Sequence, residues 1–202
     1  MIERALISVS DKSGVVDLAK SLHDLGIEII STGGTHREIR SAGVPVLPIE
    51  EFTGSPEILD GRVKTLHPKI HGGILALRDK ESHQADMKSS GIKPIDLLVV
   101  NLYPFEKVIH KREVLPEEVI ENIDIGGVTL LRAGAKNFHY VATLSDPSDY
   151  SPVLSDIKKN KSVSEELRYF LAVKAFEMTA NYDKVIFQYL GEKKFISFPR
   201  HD

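Results

Sequence analysis

Ala5-Leu6-Ile7-Ser8-Val9 runs into Ser10-Asp11-Lys12-Ser13-Gly14, and Ile27-Glu28-Ile29-Ile30-Ser31 runs into Thr32-Gly33-Gly34-Thr35. Each is a short apolar run rich in β-formers, which reads as a buried strand ending in a polar turn. Between them Val15, Val16, Leu18, Ala19, Leu22 and Leu25 recur at helical spacing, with Gly26 as the stop. A helix carrying Ile39 then reaches Ala42-Gly43, and Val44 to Ile49 reads as a third strand. Repetition of strand, turn and helix predicts an α/β fold whose parallel sheet is covered on both faces.

Further along, Glu50 to Ile74 has no sustained period, but its apolar insertions argue for order. Asp79 to Gly91 reads as an exposed helix. Ile95 to Val100 is the most apolar strand, broken by Asn101-Leu102-Tyr103-Pro104. Helices are expected from Pro116 and over Val128 to Ala135, and a strand over Tyr140 to Leu144. Ser145-Asp146-Pro147 should begin another helix. A long helix from Ser164 to about Leu190 places Leu167, Leu171, Ala175 and Phe176 on one face.

Composition narrows the chemistry. The 202 residues suit one domain, and 42% hydrophobic residues suit a packed core. A net charge of −3 advertises neither nucleic acid nor an anionic membrane. The absence of cysteine removes disulfides, thiolate catalysis and cysteine-held metals. Met1-Ile2-Glu3-Arg4 does not open a signal peptide, and no apolar run approaches spanning length, so a soluble cytoplasmic protein is expected.

Four segments are candidates for function. The two turns lie where strands feed helices; there unpaired amides favour an anion and glycines let it approach. The hydroxyls of Thr32 and Thr35 and the Lys12 ammonium would complete a phosphate site, although ordinary caps and turns explain the same residues. In Gly61-Arg62-Val63-Lys64-Thr65-Leu66-His67-Pro68, an extended chain would set Arg62 and Lys64 on one side, facing a phosphate or carbonyl; surface charge is the plainer reading. His67 and His71 stand four apart, but without an H-E-x-x-H pattern both read as structural, and no metal is expected. Tyr103 can offer its hydroxyl at a strand end, or plug the sheet edge. Asp124 can cap the helix opened by Gly126-Gly127, whose amides could face a developing charge. Lys136, roughly 18 Å further along that helix, cannot share an atom with Asp124 unless something bridges them.

Taken in order, S-V-S-D-K at 8–12, S-T-G-G-T at 31–35, G-R-V-K-T-L-H-P at 61–68, N-L-Y-P-F at 101–105 and I-D-I-G-G-V-T-L-L-R-A-x-A-K-N at 123–137 closely resemble the IMP cyclohydrolase domain of the bifunctional AICAR transformylase/IMP cyclohydrolase family. The resemblance runs from Ala5 to about Asp183, and its strand–TGGT turn is shared by the wider methylglyoxal-synthase-like superfamily. It implies a Rossmann-like three-layer α/β sandwich with a mostly parallel sheet. It also implies closure of 5-formamidoimidazole-4-carboxamide ribonucleotide (FAICAR) to IMP, without cofactor. Carried over by position, Ser10, Lys12, Thr32, Gly33, Gly34, Thr35 and Arg62 would hold phosphate and ribose. Thr65, Asn101, Ile125, Gly126 and Gly127 would surround the base, and Lys64, Tyr103, Asp124 and Lys136 would act in the reaction. The family implies a homodimer and a fused or separate transformylase. The chain ends near Phe198-Pro199, where that second domain is expected to begin, so 1–202 reads as one cyclohydrolase domain. A methylglyoxal-synthase-type lyase and a non-catalytic nucleotide sensor are the competing readings. Both need the phosphate turns; the lyase does not need Gly61 to Pro68 or the Asp124 helix, and the sensor leaves Tyr103, Asp124 and Lys136 idle.

Overall fold

The computed structural model describes residues 1–109 and 115–192. Among these, five parallel strands form one sheet: β1 (Arg4–Val9), β2 (Glu28–Ser31), β3 (Leu47–Pro48), β4 (Leu97–Asn101) and β5 (Ala142–Leu144), in the order β3-β2-β1-β4-β5. Ten helices connect or flank them: α1 (Val15–Asp24), α2 (Gly33–Ser41), α3 (Ile49–Thr53), α4 (Pro68–Leu75), α5 (Glu81–Ser89), α6 (Phe105–Ile109), α7 (Pro116–Glu121), α8 (Gly126–Lys136), α9 (Tyr150–Asn160) and α10 (Glu165–Glu192).

The central strands are apolar throughout because both faces are covered. Alternation along β1 sends Ala5 and Ile7 to a core shared with α1 and α9, and Leu6 to a second core shared with α4, α8 and α10. A smaller third cluster joins Phe105 and Val108 of α6, Val119 of α7 and Tyr182 of α10. In register, Ile7 faces Ser31 and Val99, and Val9 faces Asn101. The carboxyl ends of β1, β2 and β4 therefore lie at one edge of the sheet. The chain's turns converge there, as expected where strand order reverses around β1.

Some elements depart from expectation. The third strand shrinks from Val44–Ile49 to Leu47–Pro48, because Pro45 and Pro48 cannot donate to a ladder and suit only an edge. The segment over Glu50–Ile74 is largely built: α3, a single 3-10 turn at Leu59–Gly61, and α4. Arg62 and Lys64 lie in consecutive turns rather than on an extended strand, with Arg62 in helical backbone geometry. α6 appears where only a strand break was read. Phe176 is not core: it is 40% exposed, with the Arg132 guanidinium 5.6 Å from its ring centroid. Leu171, Ala172, Ala175, Thr179 and Tyr182 form the buried side of α10. No helix of the described residues is long and apolar enough to cross a membrane. Phe198 and Pro199 lie outside the described residues.

Candidate active site

A cleft of about 990 Å³ opens at the carboxyl edge of the sheet. Its walls come from the β1 exit (Ser8 to Lys12), the β2–α2 turn, the Leu59–Leu66 loop, Asn101 and Tyr103 after β4, and Ile120 to Gly127 between α7 and α8. These segments are far apart in sequence and adjacent only through the sheet order.

The β1–β2 end is tightly bonded. Asn101 Oδ1 accepts from the N–H groups of Ser10 and Asp11 at 2.7 and 2.9 Å, and its Nδ2 donates to the Asp11 carbonyl at 2.9 Å. Asp11 in turn accepts from the Ser13 amide and hydroxyl, which hold its carboxyl below the usual carboxylate range. The Thr35 hydroxyl accepts from Val9 N–H at 3.1 Å and donates to Val9 C=O at 2.9 Å, and Thr32 shares a 2.8 Å hydrogen bond with Ser8. Asn101, Thr32 and Thr35 were expected to address a ligand. All three line the cleft, and their hydrogen bonds between β1, β2 and β4 also fix the turns.

Because Thr32 bonds to Ser8, it gives no side-chain cap to α2, whose first turn borders the cleft uncapped. Such a helix start favours an anion. Cations gather around it. Lys12 Nζ stands 3.8 Å, and Lys64 Nζ 3.6 Å, from where side chains on Gly34 and Gly33 would begin. Arg37 Nη2 lies 3.8 Å from the same point on Gly34, a cation the sequence reading missed. Gly33 adopts φ +41°, which favours glycine.

The opposite end is more open. Asp124 Oδ1 accepts from Gly127 N–H at 2.7 Å, the helix-cap geometry, while Asp124 also lines the cleft. A side chain on Gly126 would meet Thr65 Oγ1 at 2.5 Å, and one on Gly127 would meet Asp124 Oδ2 at 2.5 Å. Both glycines are thus required by close approach, with Thr65 buried against the α8 start. Tyr103 is 40% exposed at the cleft wall. Leu59, Ile120 and Ile125, all exposed, add an apolar rim suited to a flat ring. Arg62 Nε donates to Glu121 Oε1 at 3.1 Å, and Nη2 pairs with Oε2, so a carboxylate occupies the guanidinium fork within the cleft.

Of the residues expected in the reaction, Lys64, Tyr103 and Asp124 share this cleft with Lys12, Gly34 and Thr35. Lys136 does not line it: it ends α8, ten residues beyond Gly126, exposed on the far side. His67 accepts from Lys69 N–H and bonds Ser55, and His71 bonds the Thr65 backbone, so both are structural. Burial is the main cause holding the His71 imidazole below its usual range. Glu121 was missed because nothing local marks it; its partner lies 59 residues away.

This parallel sheet, with an uncapped, cation-ringed helix start at its carboxyl edge, belongs to the MGS-like domain family, whose model matches residues 14–129. The AICARFT/IMPCHase bienzyme family model matches residues 134–201. Among similar proteins, the bifunctional purine biosynthesis protein PurH of Thermoanaerobacter sp. (strain X514) is 55% identical over 199 residues, covering 98% of this chain. That of Bacillus subtilis (strain 168) is 55% identical over 197 residues, covering 96%. The chain spans 39% and 38% of those two relatives' lengths. The crystal structure of ForH matches with a TM-score of 0.82 at 39% identity, covering 93% of this chain and 98% of that one. The resemblance drawn from the five motifs is thus borne out.

Proposed function

We propose that this chain is an IMP cyclohydrolase, closing FAICAR to IMP with loss of water. The observation that carries this reading is that Lys64, Tyr103 and Asp124 line the same cleft as Lys12, Gly34 and Thr35. A nucleotide whose phosphate sits at the α2 start would extend its base toward the α8 start. Lys12, Lys64 and Arg62 supply positive charge to the cleft, against Glu121 and Asp124.

The chemistry joins the carboxamide nitrogen to the formyl carbon of the same molecule. Holding the two groups in attack geometry removes much of the barrier. Asp124 accepts the amide proton as the C–N bond forms. The Tyr103 hydroxyl and the amides around Ile125 to Gly127 stabilise the oxyanion on the former formyl oxygen. The proton taken by Asp124 passes to that oxyanion, Lys64 protonates the resulting hydroxyl as it departs as water, and the formamido N–H proton returns to Lys64 as the C=N bond forms, giving IMP. Lys64 is assigned this proton because Lys136 is remote; Lys136 takes part only where a second copy of the chain presents it.

The test is an absorbance assay for IMP formed from FAICAR without folate or metal. Turnover supports the proposal. Binding of IMP without turnover, or release of methylglyoxal from dihydroxyacetone phosphate, would move the chain to a sensor or a lyase.

A further inference from the structure

We infer that Tyr182 is a positioning residue for this reaction, its buried hydroxyl fixing the backbone of Asp124. The inference rests on the assignment of Asp124 as proton acceptor. Tyr182 belongs to α10, 58 residues away, and is only 9% exposed. Its Oη accepts from Asp124 N–H at 2.8 Å. On the other side of the same residue, Asp124 Oδ1 accepts from Gly127 N–H. The carboxylate is therefore held at two points, by α10 through its amide and by α8 through one oxygen. Oδ2 takes no hydrogen bond among the described residues, so it remains for a substrate proton.

The tyrosine is itself immobilised. Its ring meets the Phe105 edge at a 6.1 Å centroid distance and 69° interplanar angle, and the cluster around it includes Val108, Val119 and Ile123. Phe105 follows Tyr103 by two residues, so one side chain braces both the oxyanion segment after β4 and the Asp124 segment before α8. Burial pushes the phenol above its usual range, so it stays neutral as an acceptor. Geometry for proton transfer tolerates little displacement, and a group that sets it should act on kcat more than on KM.

The test compares Tyr182→Phe, Tyr182→Leu and Asp124→Asn in single-turnover and steady-state closure of FAICAR, with melting temperature as the control for folding. Tyr182→Phe, which removes only the oxygen, is expected to lower kcat by about tenfold with KM within about twofold. Wild-type kcat in Tyr182→Phe beside a crippled Asp124→Asn overturns the inference and leaves the Asp124 assignment standing. Wild-type closure by Asp124→Asn overturns both. A Tyr182→Phe defect no larger in kcat than in KM, or a defect in Tyr182→Leu that Tyr182→Phe lacks, reduces Tyr182 to packing and also overturns it. If Tyr182→Phe fails to fold, replacing Tyr182 by 3-fluorotyrosine weakens the acceptor while keeping the hydroxyl and adding a single ring fluorine. An unchanged kcat there counts against the inference and a lowered one for it.

Discussion

At the β1–β2 end of the cleft the polar side chains bond across the sheet, whereas at the α8 end the bonds are local, Arg62 to Glu121 and Asp124 to Gly127, and Tyr103 lines open space. Thr35, Thr32 and Asn101 spend their hydrogen bonds on Val9, Ser8 and the Ser10–Asp11 turn. What this end offers an anion is an uncapped helix start and flexible ammonium groups. Tyr103 and Asp124, by contrast, line open space, and the Lys64 ammonium reaches the same cleft from beside the Gly33 turn. On the proposed reading, the difference teaches that a phosphate grip can be made of backbone, with its hydroxyls also serving as scaffold, while proton transfer requires free side-chain valences.

That contrast can be broken most severely at Asp124. Asp124→Asn should lower kcat for IMP formation by about 10²-fold or more, with little change in KM, measured in steady state. Thr35→Val should act on the fold instead. Leaving Val9 N–H and C=O without their partner costs about 1–3 kcal/mol, read as a lower melting temperature. A Thr35→Val protein of unchanged stability and lost phosphate affinity would restore the ligand role of that hydroxyl. Lys12→Ala should raise KM by about tenfold and leave the melting temperature unchanged, because its ammonium bonds no partner among the described residues. Glu121→Gln sharpens the comparison at smaller scale. Freeing the exposed Arg62 fork should tighten inorganic phosphate or IMP binding by a few-fold at low salt, as titration calorimetry would record. Weaker binding would mean that Glu121 orients Arg62 rather than competing for it.

The smallest expected effect concerns pH. Burial holds the His71 imidazole below its ordinary range, so the unfolded chain takes up a proton before the folded one does. Its contribution to stability is therefore complete above the ordinary imidazole range and is lost as pH falls toward the lowered folded value. His71→Asn should flatten that acid-side decline in melting temperature, and an unchanged slope would remove His71 as its source.

Much of the scaffold is written locally. The apolar runs of β1 and β4, the helical spacing of α1 and the stop at Gly26 are read without knowing what they touch. Local pattern also gave the bland roles of His67 and His71. It failed at Val44–Ile49, where β-propensity hid two prolines, and at Phe176, where helical spacing did not reveal which side of α10 faces outward. The site was legible as a set of motifs but not as an arrangement. Nothing near Thr35 or Asn101 tells that their hydrogen bonds close across the sheet. Glu121 and Tyr182 gain meaning only from residues 59 and 58 positions away. Lys136 belongs to the same motif as Asp124 and yet stands at the other end of its helix, a separation that helix geometry foretold.

The division of labour between the two lysines at the α2 start, one for the proton and one for the phosphate, is tested most directly by single-turnover conversion of FAICAR to IMP at saturating nucleotide, with Lys64→Ala and Lys12→Ala side by side. The account predicts a rate reduced by about 10²-fold for Lys64→Ala and a near-wild-type rate for Lys12→Ala. Unimpaired closure by Lys64→Ala, or equal losses in the two, would contradict it.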